Sequence, residues 1–215
     1  MFFIGMSTLS CSKKKEHVNI TGHTGNTESI LYNEFKSNFS IEYSLPLDFN
    51  QNFVFNIKNV KLDSEKYKDF ICSEINNCEF VSSYMRSSYY PMGIISSNGK
   101  NDFFLLGFFD PPFTRKISLL IGDPTNGRIL KRILLWEDDQ IKKRVISKIS
   151  IDREISSTYI FDTTSILGNN NDSDSSLVKL KHSKIKLYDD NAEIIETSDL
   201  VNKKVLRTGN IYELE

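Results

Sequence analysis

The sequence predicts a mainly β fold: an antiparallel β-sandwich or barrel-like pair of sheets, with one short helix at about residues 63–76. Three observations predict it. Alanine, the best helix former, occurs once, at Ala192, whereas Ile is abundant and there are 15 Phe and 9 Tyr, residues that suit a pleated, half-buried surface. Apolar and polar residues alternate at period two through much of the chain. Turn-forming pairs such as Asn98-Gly99 and Gly209-Asn210 punctuate those runs. A chain of 215 residues buries a sizeable core unaided. A single domain over 17–215 is expected, with a possible seam near 110–113.

Taken in order, HVNI and ESILYN are candidate strands on either side of the turn-like TGHTGNT. In NFSIEYS, Phe39, Ile41 and Tyr43 share a face, as do Phe53, Phe55 and Ile57 in NFVFNIK. LPLDFNQ between them supplies turn material, so the two are expected as antiparallel neighbours. Residues 63–76 break the pattern. Ser64 is a candidate cap, and Tyr67, Phe70, Ile71 and Ile75 recur at three and four, which predicts the helix. A strand is expected from Glu79-Phe80-Val81, then GIISS and DFFLLGFFD around Asn98-Gly99. FFLLGFF is apolar on both faces, so it is either a central strand or covered on both sides, and Pro111 and Pro112 stop it. RKISLLIGD follows. GRILKRILLWEDD fits a helix or a strand, and the Asn-Gly before it favours the strand. KRVISKISID with STYIFDT, SKIKLYDD with AEIIET, and KKVLRT with IYEL make three further pairs, with a polar loop over Gly168–Ser176. The total is about a dozen strands.

The opening MFFIGMSTLSCSKKKE is of another kind. Met1–Leu9 is a short apolar stretch, followed by Ser10, Cys11, Ser12 and a lysine run. It falls well short of the roughly 18 apolar residues of a membrane span and reads as a secretory signal over residues 1–10. Leu9-Ser10-Cys11, between an apolar tract and a polar run, resembles the lipobox of bacterial lipoproteins. Thr8 stands where that box usually has Leu, and no Lys or Arg precedes the apolar tract. The alternative is a buried strand beginning at Phe2, Phe3 and Ile4, with Cys11 an ordinary thiol. The resemblance implies cleavage before Cys11, acylation of that cysteine by groups such as palmitate, and a tether over residues 11–16. The body would then sit at the cell envelope, and Ser12 in place of Asp implies the outer membrane. Each buried methylene contributes about 0.8 kcal/mol, so one acyl chain holds marginally and two or more hold stably.

With Cys11 lipidated, Cys72 and Cys78 remain as an even pair in ICSEINNC. A disulfide between them suits an oxidising compartment, and two free thiols are the alternative. His17, His23 and His182 are dispersed, and no metal site is expected. The sequence has no G-x-S-x-G, P-loop, H-E-x-x-H or C-x-x-C, so no catalytic residue and no cofactor is assigned. Asp138-Asp139 and Asp189-Asp190 would serve a hydrolase only if two carboxylates faced one substrate. Lys+Arg of 27 against Asp+Glu of 28 gives a net charge of -1, which argues against nucleic acid as a partner. Tyr89, Tyr90 and Trp136 are candidates to stack on a glycan or anchor a protein. The expected role is a lipid-anchored envelope protein that binds or scaffolds without catalysis. An envelope hydrolase using the acid pairs, or a lipoprotein immunity factor against a secreted toxin, are the alternatives.

Overall fold

Each hairpin in this chain adds its strand to the one before, and that order builds the sheet. The computed structural model describes residues 24–49, 60–71, 88–96, 99–110, 114–139, 143–162, 175–188, 191–208 and 211–213. The chain enters the sheet through two short strands, β1 (Glu42–Tyr43) and β2 (Leu47–Phe49), on either side of a cis Leu45–Pro46 bond. Seven strands then pair antiparallel in succession: β3 (Ser88–Ile95), β4 (Asp102–Asp110), β5 (Thr114–Asp123), β6 (Arg128–Asp139), β7 (Lys143–Ile149), β8 (Glu154–Asp162) and β9 (Ser175–Leu187). Both β10 (Ala192–Thr197) and β11 (Val201–Thr208) run along β9, and β12 (Ile211–Glu213) lies beside β11.

The fold is therefore mainly β, as expected, but its twelve strands among the described residues form one continuous open sheet rather than a pair of sheets. The long strands explain the difference, because they change neighbours along their length. β6 pairs β5 from end to end but meets β7 only at Glu137–Asp139, and β7 then turns to β2 at Ser147–Ile149. The sheet bends at that exchange. Met92, Phe103, Leu105, Ile117 and Leu119 from one half enclose a core with Ile149, Ile155, Ile185 and Leu187 from the other. The Lys131 side chain of β6 reaches the Ala192 carbonyl of β10, which shows how far the bend carries. β1 runs parallel to β3 and β2 antiparallel to β7, so residues 42–49 cross from one wall to the other without closing the sheet.

The opposite face of β3–β5 is covered by helix α1 (Thr24–Ser37) and the four-residue α2 (Lys68–Ile71). Here the strand expected at ESILYN is corrected to a helix. Tyr32, Phe35 and Phe39 recur at three and four and are all buried, while Ile30, just before them, faces solvent. The Phe35 ring lies 5.0 Å from Phe39, 5.5 Å from Tyr67, 5.0 Å from Phe70 and 5.4 Å from Phe104, centroid to centroid. Such ring pairs add about 0.5–1.5 kcal/mol each beyond the area they bury. The helix ends where Asn38 donates from Nδ2 to the carbonyls of Glu34 and Phe35 at 2.8 and 3.1 Å, satisfying acceptors that lack a helical partner.

The helix predicted over 63–76 with Ser64 as cap is shorter among the described residues, α2 beginning only at Lys68, and Asp63 rather than Ser64 does the capping. The Asp63 carboxylate accepts the N–H groups of Glu65 and Lys66 at 3.1 and 3.0 Å and starts a turn that runs into α2. Residues 72–76 of the predicted helix, the strand from Glu79, HVNI, NFVFNIK and the greater part of the Gly168–Ser176 loop lie outside the described residues. The NFSIEYS strand shortens to β1 and runs parallel to β3, and the turn expected at LPLDFNQ holds β2. FFLLGFF is covered on both sides as predicted: Phe103 and Leu105 face the enclosed core, and Phe104, Leu106 and Phe108 face the helices. GRILKRILLWEDD is the strand β6. The Pro111-Pro112 stretch is flanked by strands paired up to Asp110 and Thr114.

Two glycines are required by close approaches. At Gly93 the register of β3 against β4 shifts, φ is +157°, and an added Cβ would stand 2.5 Å from the Ile41 carbonyl oxygen. That gap lets the segment around β1 lie against β3. At Gly122 an added Cβ would stand 2.1 Å from the Tyr32 hydroxyl, so the bare backbone is what seats α1 on β5.

Candidate interaction edge

Of the sequence-predicted site residues, only Tyr89, Tyr90 and Trp136 are described, and Tyr89 and Trp136 lie in different cores. Cys11, Cys72 and Cys78 lie outside the described residues. Tyr89 is 4% exposed and packs on Phe108 at 5.1 Å on the helix side of the sheet. Trp136 is 6% exposed within the enclosed core. Neither ring offers solvent an open face for stacking, and Tyr90, half-buried, points away from Tyr89 on the same strand. Pro91, next to Tyr90, marks the same irregular stretch of β3 that holds Gly93.

Of the two acid pairs, Asp189-Asp190 lies outside the described residues, and Asp138 stands among arginines. Asp138 forms an ion pair with Arg144, Nε to Oδ1 3.3 Å, and stands in register between Arg115 and Arg144, so opposite charges alternate across three strands. Glu137, the one buried carboxylate among the described residues, is paired with Lys116 at 3.2 Å. Lys116 also lies 5.9 Å from the centre of the Phe108 ring. His182 is exposed, with Nδ1 2.9 Å from Thr158 Oγ1. Among the described residues no group of three His, Cys, Asp or Glu converges, and no helix is long and apolar enough to cross a membrane. A cavity lined by Leu45, Phe103, Ile149, Arg153 and Leu187 has a volume of about 10 Å³, the room of a single water.

The feature that stands out is the outer strand along β9. After a turn closed by the Tyr188 N–H donating to the Asn191 carbonyl at 2.7 Å, the chain returns along its partner in two pieces, β10 and then β11. Ile195 has no opposite number between the pairs Ile194–Ile185 and Glu196–Lys184. A second extra residue falls between the pairs Thr197–Ser183 and Val201–Leu180. Ser198 holds that second irregularity, its N–H donating to the His182 carbonyl at 3.0 Å and its Oγ accepting the His182 N–H at 2.9 Å. Bulges of this kind twist an edge and re-aim its side chains. The result is a strand exposed on both faces. Ile194 is 67% exposed, and Ile195, Leu200 and Val201 are each at least half exposed.

Antiparallel alternation decides which backbone groups remain open. Tyr188 and Asn191 are a hydrogen-bonded pair, so Leu187–Ala192 and Ile185–Ile194 are not, and Ala192 and Ile194 turn their N–H and C=O outward. The Leu187 N–H agrees, donating at 2.9 Å to the Arg153 carbonyl on the far side. At Ala192 the outward groups are satisfied: the N–H donates to Asn191 Oδ1 at 2.7 Å, and the carbonyl accepts Lys131 Nζ. At Ile194 no partner stands opposite among the described residues. Glu193, Glu196 and Asp199 flank this opening, all exposed. Glu196 pairs with Lys184 at 3.0 Å, and that hydrogen bond first, then the Glu196 charge, holds the Lys184 ammonium above its usual pKa.

The edge was missed because AEIIET reads as an ordinary hairpin strand. The available signal was the adjacent pair Ile194-Ile195, which breaks the alternation and puts an apolar residue on each face between two glutamates. Comparison with protein-family models, curated proteins and solved structures finds no match.

Proposed function

We propose that this chain is a lipid-anchored protein of the cell envelope, at the outer membrane, whose β body binds or scaffolds a protein partner without catalysis. The observation that carries the binding role is the outer stretch over residues 192–201, from β10 to the start of β11, which presents Ile194, Ile195, Leu200 and Val201 to solvent beside the open backbone groups of Ile194. Edge strands in soluble proteins are usually blunted by charge, bulges or a covering element, and contiguous exposed apolar residues mark interaction surfaces. Here Lys131 and Asn191 satisfy only the beginning of the edge.

The anchor is supported by MFFIGMSTLSCSKKK and its resemblance to the lipobox. Residues 12–23 separate Cys11 from α1, and an extended chain of that length spans at most about 40 Å. The body would therefore work within that distance of the membrane. Fractionating cells that express the full chain or its Cys11→Ala variant tests the reading. The wild type is expected in the membrane fraction and the variant in the soluble fraction. Identical distribution of the two would overturn the anchor.

A further inference from the structure

We propose that β10 takes an extended segment of a partner protein, one alternating basic with apolar side chains, as an additional strand of the sheet. This rests on the reading of the body as a binding module and names the chemistry of its partner. Ile194 turns its N–H and C=O outward, and the satisfied Ala192 groups fix where a docking strand has to begin. A strand added there makes main-chain hydrogen bonds to Ile194, and its alternate side chains meet the edge on either face.

Charge selects the occupant. Glu193, Glu196 and Asp199 are exposed along this stretch; among the described residues Glu196 is paired with Lys184, while Lys186, in register with Glu193, donates its ammonium to the Asp152 carbonyl at 2.7 Å. A segment carrying Lys or Arg beside those carboxylates gains from each cross-strand pair of opposite charge. A second copy of the edge fits poorly, since a two-fold centred on Ile194-Ile195 would set Glu193 against Glu196. An anionic lipid surface is disfavoured by the same three carboxylates. Apolar side chains of the partner meet Ile194, Ile195, Leu200 and Val201, which the chain itself leaves uncovered.

The purified full chain is titrated with two synthetic octapeptides, one alternating Lys and Val, the other Glu and Val. The lysine peptide is expected to bind about tenfold more tightly, the sum of several modest charge pairs. Ile194→Pro removes the outward N–H without touching the ladder to β9, and it should lose that binding while unfolding at the wild-type midpoint. Should that variant fail to fold, the surface double variant Glu193→Lys with Glu196→Lys carries the test: its preference should reverse toward the glutamate peptide. Equal binding of the two peptides, or an unreversed preference, overturns the proposal. So does a dimer in sedimentation that Ile194→Pro dissolves, which would make a second copy the occupant. Binding of the Cys11→Ala chain to anionic vesicles through this edge would likewise replace the partner with a lipid surface. None of these arms depends on acylation, so their failure is distinct from failure of the anchor.

Discussion

The node that seats α1 on the sheet is four residues. The Tyr32 hydroxyl donates to Asp102 Oδ2 at 3.0 Å, Lys36 Nζ holds both Asp102 oxygens at 2.9 and 3.0 Å, and Gly122 leaves room for the phenol. Gly122→Ala would put a methyl group into the Tyr32 hydroxyl and the Phe104 ring. A loss of about 1–3 kcal/mol is expected, the cost of overpacking, measured as a lower denaturant midpoint; an unchanged midpoint would contradict the close approach. Burial first, and then the charge and hydrogen bond of Asp102, push the Tyr32 pKa well above its ordinary value. Its contribution to stability is complete below the unfolded pKa of about 10 and is lost as pH rises beyond it, because the unfolded chain then releases a proton that the folded chain keeps. Unfolding free energy should therefore fall on the alkaline side, and less steeply in Tyr32→Phe; parallel curves would count against it. Asp123 has the opposite sign. Burial pushes its carboxyl up, but hydrogen bonds from Asn126 and Thr125 and the charge of Arg128 outweigh it and hold the pKa below the usual range. The stability this turn contributes is present above about pH 4 and is lost as pH falls through the depressed value.

Among elements, what was legible in the sequence was local. Asn98-Gly99 and Asp123–Gly127 contain their turn chemistry within a few residues, and the β3–β4 and β5–β6 hairpins form around them. FFLLGFF needed no partner to be read as covered on both faces. Helix α1 was not legible in this way. ESILYN alternates over a short window, whereas the helical stripe is complete only when Phe35 and Phe39 join Tyr32, and Phe39 also fits the next strand pattern. A fourteen-residue helix without strong propensity forms because Phe104 and Phe70 receive its apolar face. Phe35→Ala should cost about 3–5 kcal/mol and release α1 to fast amide exchange, while β7–β9 stay protected at conditions short of global unfolding. Uniform loss of protection across all three strands would show that the helix and the sheet do not separate. The candidate site divides in the same manner. The proposed role of Cys11 rests on its immediate neighbours alone, whereas Tyr89 and Trp136 are placed by distant strands, and the exposure of β10 follows from two bulges that alternation cannot reveal.

At the scale of the whole molecule, one sheet supports two large cores and a small third cluster at Ile160, Val178 and Leu180, and among the described residues it leaves the β10 edge open. β4 lies between the enclosed core and the helices, which is why its apolar run tolerates no polar face. The bend at β6–β7 brings Lys131 to the start of β10, so the part that shapes the core also satisfies the beginning of the working edge. The proposed anchor would join that edge to a membrane through Cys11, which ends the apolar opening of the chain. Intact-mass measurement of the protein isolated from the membrane of its producing cell tests the join most directly. A chain that begins at Cys11 and carries the added mass of fatty acyl groups is the predicted result. An unmodified chain that still begins at Met1, recovered from the cytosol, would contradict it.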